Sequence, residues 1–173
     1  QVCSPATREE LNQALARQSG PVLAGYPDTL GKKITGIPEG WYSRLEADHI
    51  LVEADGSRGL PLKYHRSFEP VVPGETGLLV ELAGLSALDR PVGEALHGWR
   101  EAGLDPSTAV TEGLMADLLL RGLEGSGFSG RTLVVLNQAD TPALTERGRR
   151  VAGLLEEKGI TTWVARLKEE PLC

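Results

Sequence analysis

Apolar positions along this chain recur with two different periods, and their alternation predicts the elements. Leu11, Ala14 and Leu15 stand at i, i+3 and i+4, one stripe of a helix. Thr7 and Glu10 form a capping box at its start. "PVLAG" (21–25) reads as a short strand, "GYPDTLGKKITGIP" (25–38) as a glycine-rich loop and 39–46 as a short helix. "DHILVEAD" (48–55) has the apolar centre Ile50-Leu51-Val52 and is expected to be a strand buried on both faces. Residues 56–76, with three prolines and three glycines, are irregular; a loop of that length is usually functional or mobile. "GLLVELAGL" (77–85) is a further strand.

A helix is expected from about Thr111 to Arg121, striped by Leu114, Leu118 and Leu119 and stopped by Gly122. "RTLVVLNQAD" (131–140) is the clearest buried strand. Thr141 can cap the helix after it, Pro142 suits the first helical position and Gly159 ends it, with Leu144, Gly148, Val151 and Leu155 on one face. "TTWVARL" (161–167) is the last strand. Strands alternating with helices, and strand cores that are nearly all apolar, imply an α/β fold with a mainly parallel sheet flanked by helices.

Composition narrows the classes. At 173 residues, the chain is expected to be one domain with a proper core. A net charge of −6 without a basic cluster, and 5% aromatics, argue against a nucleic-acid surface. No apolar run approaches the ~20 residues that span a bilayer. Cys3 and Cys173 at opposite ends do not resemble a disulfide framework and point to a reducing cytoplasm. A chain opening on Gln1 rather than Met is expected to be incomplete at its N-terminus.

In sheets of this kind ligands bind beyond the carboxyl ends of the strands. Two strands carry polar signatures there. Glu53-Ala54-Asp55-Gly56 could hold Mg²⁺ and let the backbone approach a phosphate, or could be a strand running into a favoured Asp-Gly turn. Asn137-Gln138-Ala139-Asp140 resembles the Asn-Lys-x-Asp guanine-reading element, in which a fixed carboxylate accepts from the base and the Asn braces the loop; Gln138 replaces the lysine. The alternative is a helix cap ahead of Pro142. "GYPDTLGKK" misses the phosphate-loop spacing and is rejected as one. His49, His65 and His97 lack metal-ligand spacing; Lys63, Arg66 and Glu69 crowd His65.

Taken in order, "KKITGIP", "ADHILVEADGSRGLPLK", "FEPVVP" and "VVLNQAD" make the chain resemble the selenium-dependent hydroxylase accessory protein (YqeC-type) family over residues 32–140. That resemblance implies a phosphate-loop NTPase fold, here without its first strand-loop-helix unit, and a cytoplasmic factor assisting maturation of molybdenum hydroxylases. Phe68 stands where relatives often carry histidine. The resemblance implies GTP or ATP with Mg²⁺, Asp55 and Glu53 as catalytic and metal residues, and Asn137, Gln138 and Asp140 at the base. Lys32, Lys33 and Thr35 would form a switch-like loop, with Gly56, Arg58 and Lys63 near phosphate or pterin anions. The alternative is a non-catalytic chaperone whose 56–76 loop binds the client hydroxylase or its molybdopterin cofactor.

Overall fold

A computed structural model describes residues 2–30 and 33–167, which cluster into two compact units, Gln1–Val52 and Glu53–Cys173. In the first, helix α1 (Arg8–Arg17) begins as expected. Thr7 accepts from the Glu10 N–H, and the Glu10 carboxylate reaches back to the Ala6 N–H at 2.8 Å. "PVLAG" forms no strand; only an isolated bridge joins Ala24 to Cys3. The regular pairing lies inside the expected loop, where β1 (Tyr26–Pro27) runs antiparallel to β2 (Ile34–Thr35). Gly25 allows it, because a Cβ there would fall 2.4 Å from Ile34 Cγ2. The short helix is a 3-10 turn, Glu39–Arg44.

The expected strand over 48–55 is not formed. Ile50, Leu51 and Val52 are exposed and have no ladder partner among the described residues; Leu51 is 96% exposed. Three apolar residues in a row supply β propensity, but a strand is stable only when a neighbour satisfies its backbone.

In the second unit, β3 (Leu62–Lys63) emerges from the long irregular segment and pairs in parallel with β5 (Leu96–His97), which follows α2 (Val92–Ala95). The main sheet holds β4 (Leu78–Gly84), β6 (Arg131–Asn137) and β7 (Thr162–Val164), all parallel, in the order β4-β6-β7. Full seven-residue register between β4 and β6 sets Gly84 opposite Asn137, so the strands end at a common carboxyl edge. The fold is therefore α/β with parallel sheets flanked by helices.

Helices α3 (Glu112–Gly125) and α4 (Pro142–Glu156) open on threonine caps, Thr111 to the Leu114 N–H and Thr141 to the Leu144 N–H. Met115, Leu118 and Leu119 of α3 and Val151 and Leu155 of α4 are buried with Leu79, Ala83, Val134 and Leu136 of the sheet. Each of these Leu, Val and Met side chains contributes about 2 kcal/mol on removal from water. Helix α3 passes straight through Gly122, the expected stop, and ends at Gly125. Gly122 is there for a close approach: a Cβ would lie 2.7 Å from His65 Cδ2. Strand β4 alternates, with Leu78, Val80 and Leu82 outward and exposed, unlike the two-sided burial usual for parallel strands. Among the described residues no helix is long and apolar enough to cross a membrane.

Candidate functional site

Two constellations stand out in the second unit. The first lies at the carboxyl edge of the main sheet. Where β6 ends, Gln138 takes a left-handed conformation (φ 66°), which turns the chain off the strand. Its Oε1 accepts a hydrogen bond from Ser86 Oγ at 2.6 Å. Gly84 makes this possible, since a Cβ would sit 2.2 Å from Gln138 Oε1 and 2.9 Å from Pro61 Cβ. Gly84 also donates its N–H to the Pro61 carbonyl at 2.7 Å, so the "SRGLP" turn meets "NQAD" over one glycine. Asn137 Oδ1 accepts from the Leu167 N–H at 2.9 Å, and the Ala139 N–H donates to the Ala165 carbonyl. Asp140 is exposed, with Arg166 Nε 3.4 Å from Oδ1. The capping role falls to Thr141, which leaves the Asp140 carboxylate outside the helix start.

The second constellation is a buried network of charge. Lys63, its side chain 5% exposed, points inward with Nζ 3.1 Å from both Asp55 Oδ2 and Glu69 Oε1. His65, 6% exposed, lies between Asp55 Oδ2 (2.7 Å from Nδ1) and Glu81 Oε1 (2.9 Å from Nε2). Burial by itself pulls the His65 pKa down, but the two carboxylates outweigh it and push it up to about 9. Burial would raise Asp55, yet His65 and Lys63 hold it below its ordinary value. Glu69 is likewise lowered, Lys63 overcoming its desolvation. At the centre, Asp55 Oδ2, Lys63 Nζ and His65 Nδ1 complete no well-directed hydrogen bond. Charge proximity, not bond direction, holds them together.

This arrangement decides what Asp55 can do. A Mg²⁺ ligand must approach the ion within about 2.1 Å. The oxygen that would do so here already faces an ammonium and an imidazolium, whose charges repel a cation. Asp55 Oδ2 therefore does not suit Mg²⁺. Glu53 and Arg58 are exposed, Arg58 in a left-handed conformation (φ 56°) beside an exposed Gly56. Lys33 and Thr35 are exposed in the first unit, and Lys32 lies outside the described residues.

Sequence reasoning missed Gly84, Ser86, Glu81 and Gly122. A signal existed for one of them: Glu81 is the lone charge at an inward position of a strand whose other inward residues are apolar. Gly122 was visible only as a helix stop. Nothing local could reveal that its missing side chain makes room for His65, 57 positions away (122 − 65).

The second unit is thus an α/β unit with a parallel sheet, a polar carboxyl edge and a buried ion network. The model of the YqeC protein family matches residues 2–100, more than half of the sequence, and the chain belongs to that family. It is 38% identical over 72 residues to the uncharacterized protein YqeC of Escherichia coli (strain K12). That match covers 39% of this chain and 28% of the relative's length. No solved structure matches the chain. The buried network falls wholly within the family match, whereas "NQAD" lies beyond it.

Proposed function

We propose that this protein is a nucleotide-binding accessory factor, of the kind implied by its likeness to maturation proteins of selenium-dependent molybdenum hydroxylases. The observation that carries this reading is the division of labour in "NQAD". The Asn137 side chain braces the segment after β7, while the Asp140 carboxylate is left exposed at the carboxyl edge of a central parallel strand. A carboxylate so placed can accept two hydrogen bonds from a purine edge that offers adjacent N–H groups, which favours GTP over ATP. Its ion pair with exposed Arg166 is worth at most about 1 kcal/mol and can be exchanged.

Calorimetric titration of the chain with GTP, ATP and CTP, each with and without Mg²⁺, tests the reading. GTP is expected to bind tightest, and Asp140→Ala to remove the preference, a loss of about tenfold or more. Absence of binding by all three, or an unchanged preference in the variant, would overturn it.

A non-catalytic chaperone is the second reading. Residues 56–76 turn Lys63 and His65 inward and leave Phe68 and Val71 outward, 66% and 64% exposed. An apolar pair presented by a charge-anchored segment suits an apolar or aromatic partner surface. The client hydroxylase or its molybdopterin cofactor is the proposed occupant.

A further inference from the structure

A cavity of about 520 Å³ borders the buried network, lined by residues 64–69, Glu101 and the end of α3. It is not part of the carboxyl edge. Its helical wall is Arg121, Gly122 and Gly125, and five residues (126–130) carry the chain from there to the first residue of β6, so the cavity sits toward the amino edge of the sheet.

Its charge differs from that of the molecule. The chain carries −6 overall, but His65, Arg66 and Arg121 meet at this cavity. The two carboxylates on its wall are partly withdrawn. Glu69 is turned to Lys63 at 3.1 Å and accepts from the Arg66 N–H at 3.3 Å, and Glu101 is held by Arg66 at 2.6 Å. The Arg121 partner is Asp117 on its own helix, and both side chains are about half exposed. Pairs of that kind are weak and exchange readily for a better acceptor. His65 is different: it is buried and flanked by Asp55 and Glu81 on its two nitrogens, so it forms a fixed wall and not a mobile charge. Phe68, on the cavity wall, exposes two thirds of its surface. Gly125 has nothing within 4 Å of where a Cβ would stand, so the helix end leaves room beside the ring. The volume lies in the range of small-molecule sites.

We propose that this cavity binds a small organic anion carrying a planar ring, with Arg121 and Arg66 gripping the anionic group in front of His65 and Phe68 covering the ring. The site is separate from the nucleotide reading and stands or falls without it.

The probe is phenyl phosphate, titrated into the full chain and followed by ¹H–¹⁵N spectra and the His65 ring resonances, with inorganic phosphate and benzylamine as comparisons. Saturable shifts at Gly122, Gly125 and His65 are expected for phenyl phosphate. Inorganic phosphate should bind about fivefold more weakly for want of stacking on Phe68, and benzylamine should not bind. Arg121→Glu, a surface change that leaves the fold's spectrum intact, should weaken phenyl phosphate at least about tenfold, and Phe68→Ala about fivefold. Equal binding of benzylamine, unchanged affinity in Arg121→Glu, no saturable shift at millimolar probe, or shifts confined to Asn137–Asp140 would each overturn the proposal.

Discussion

His65 provides the sharpest test of the buried network. Its folded pKa of about 9 stands against about 6.5 in the unfolded chain, a difference of about 2.5 decades. At about 1.36 kcal/mol per decade the ceiling is about 3 kcal/mol, and about 2 kcal/mol is a fair expectation for a ring that borders an open cavity. The sign follows from where each state loses its proton. Below about pH 6.5 both states hold it and the imidazolium contributes fully; between there and about pH 9 only the folded chain keeps it, so stability drains away as pH rises. Replacement by glutamine in His65→Gln removes the titration and leaves Asp55 and Glu81 without their shared cation. Urea unfolding of both proteins should show the wild type's advantage largest near about pH 6 and smaller by about 2 kcal/mol near about pH 9.5. The ring's own titration, read from its Cε1–H resonance, should fall near 9. A midpoint at about 6.5, or an advantage independent of pH, would refute the clamp.

Two further perturbations probe the scaffold. Gly122→Ala would gain about 1 kcal/mol of helix propensity, but it sets a methyl 2.7 Å from a ring held on both sides. A net loss of about 1–3 kcal/mol is expected in denaturant unfolding; a stabilised variant would mean that His65 is free to move aside. Arg147 bridges Asp89 and Glu112, and with the helix backbone and Arg150 it holds the Glu112 pKa down to about 2. Glu112 keeps about a quarter of its side chain in solvent and a second partner in Arg150, so Arg147→Met should cost only about 1 kcal/mol near neutrality. Because the folded pKa is depressed, that contribution is present above about pH 4.5 and is lost as pH falls through about 2. A melting-temperature difference that persists unchanged in acid would count against the ion pair.

What was legible in the sequence follows a physical line. Elements fixed by neighbours within four residues were readable: the Thr7 and Thr141 caps, the Pro142 start, and the stripes of α3 and α4. So were β4 and β6, whose apolar runs are long enough to cross a core. Strand 48–55 failed because periodicity reports what a segment could pair with, not whether a partner stands beside it. "PVLAG" failed for the same reason, its ladder displaced onto Tyr26–Pro27 and Ile34–Thr35. At the end of β6, Asn137 is tied to the segment after β7 while Asp140 stands exposed. Lys63 did not stay an open cation, because two carboxylates from Asp55 and Glu69 fold back on it. Contacts of that kind depend on how an irregular segment closes, which no short-range pattern encodes.

The two aspartates that opened as equivalent candidates are therefore chemically unlike. Asp55 faces two cations within 3.1 Å, and its charge is spent holding residues 55–69 against β4 and α3 through Glu81 and Gly122. Burying five ionisable groups in this way stabilises little in net terms, because desolvation offsets most of the attraction. An apolar cluster of the same volume would hold the segment as well. What the charges add is position: a carboxylate stands beside each ring nitrogen of His65 and keeps the imidazole at the cavity wall. Asp140 is exposed, with Arg166 Nε 3.4 Å from its Oδ1. Of the two acids, Asp140 is the more open to a hydrogen-bond donor from outside, which supports looking for a nucleotide at the carboxyl edge.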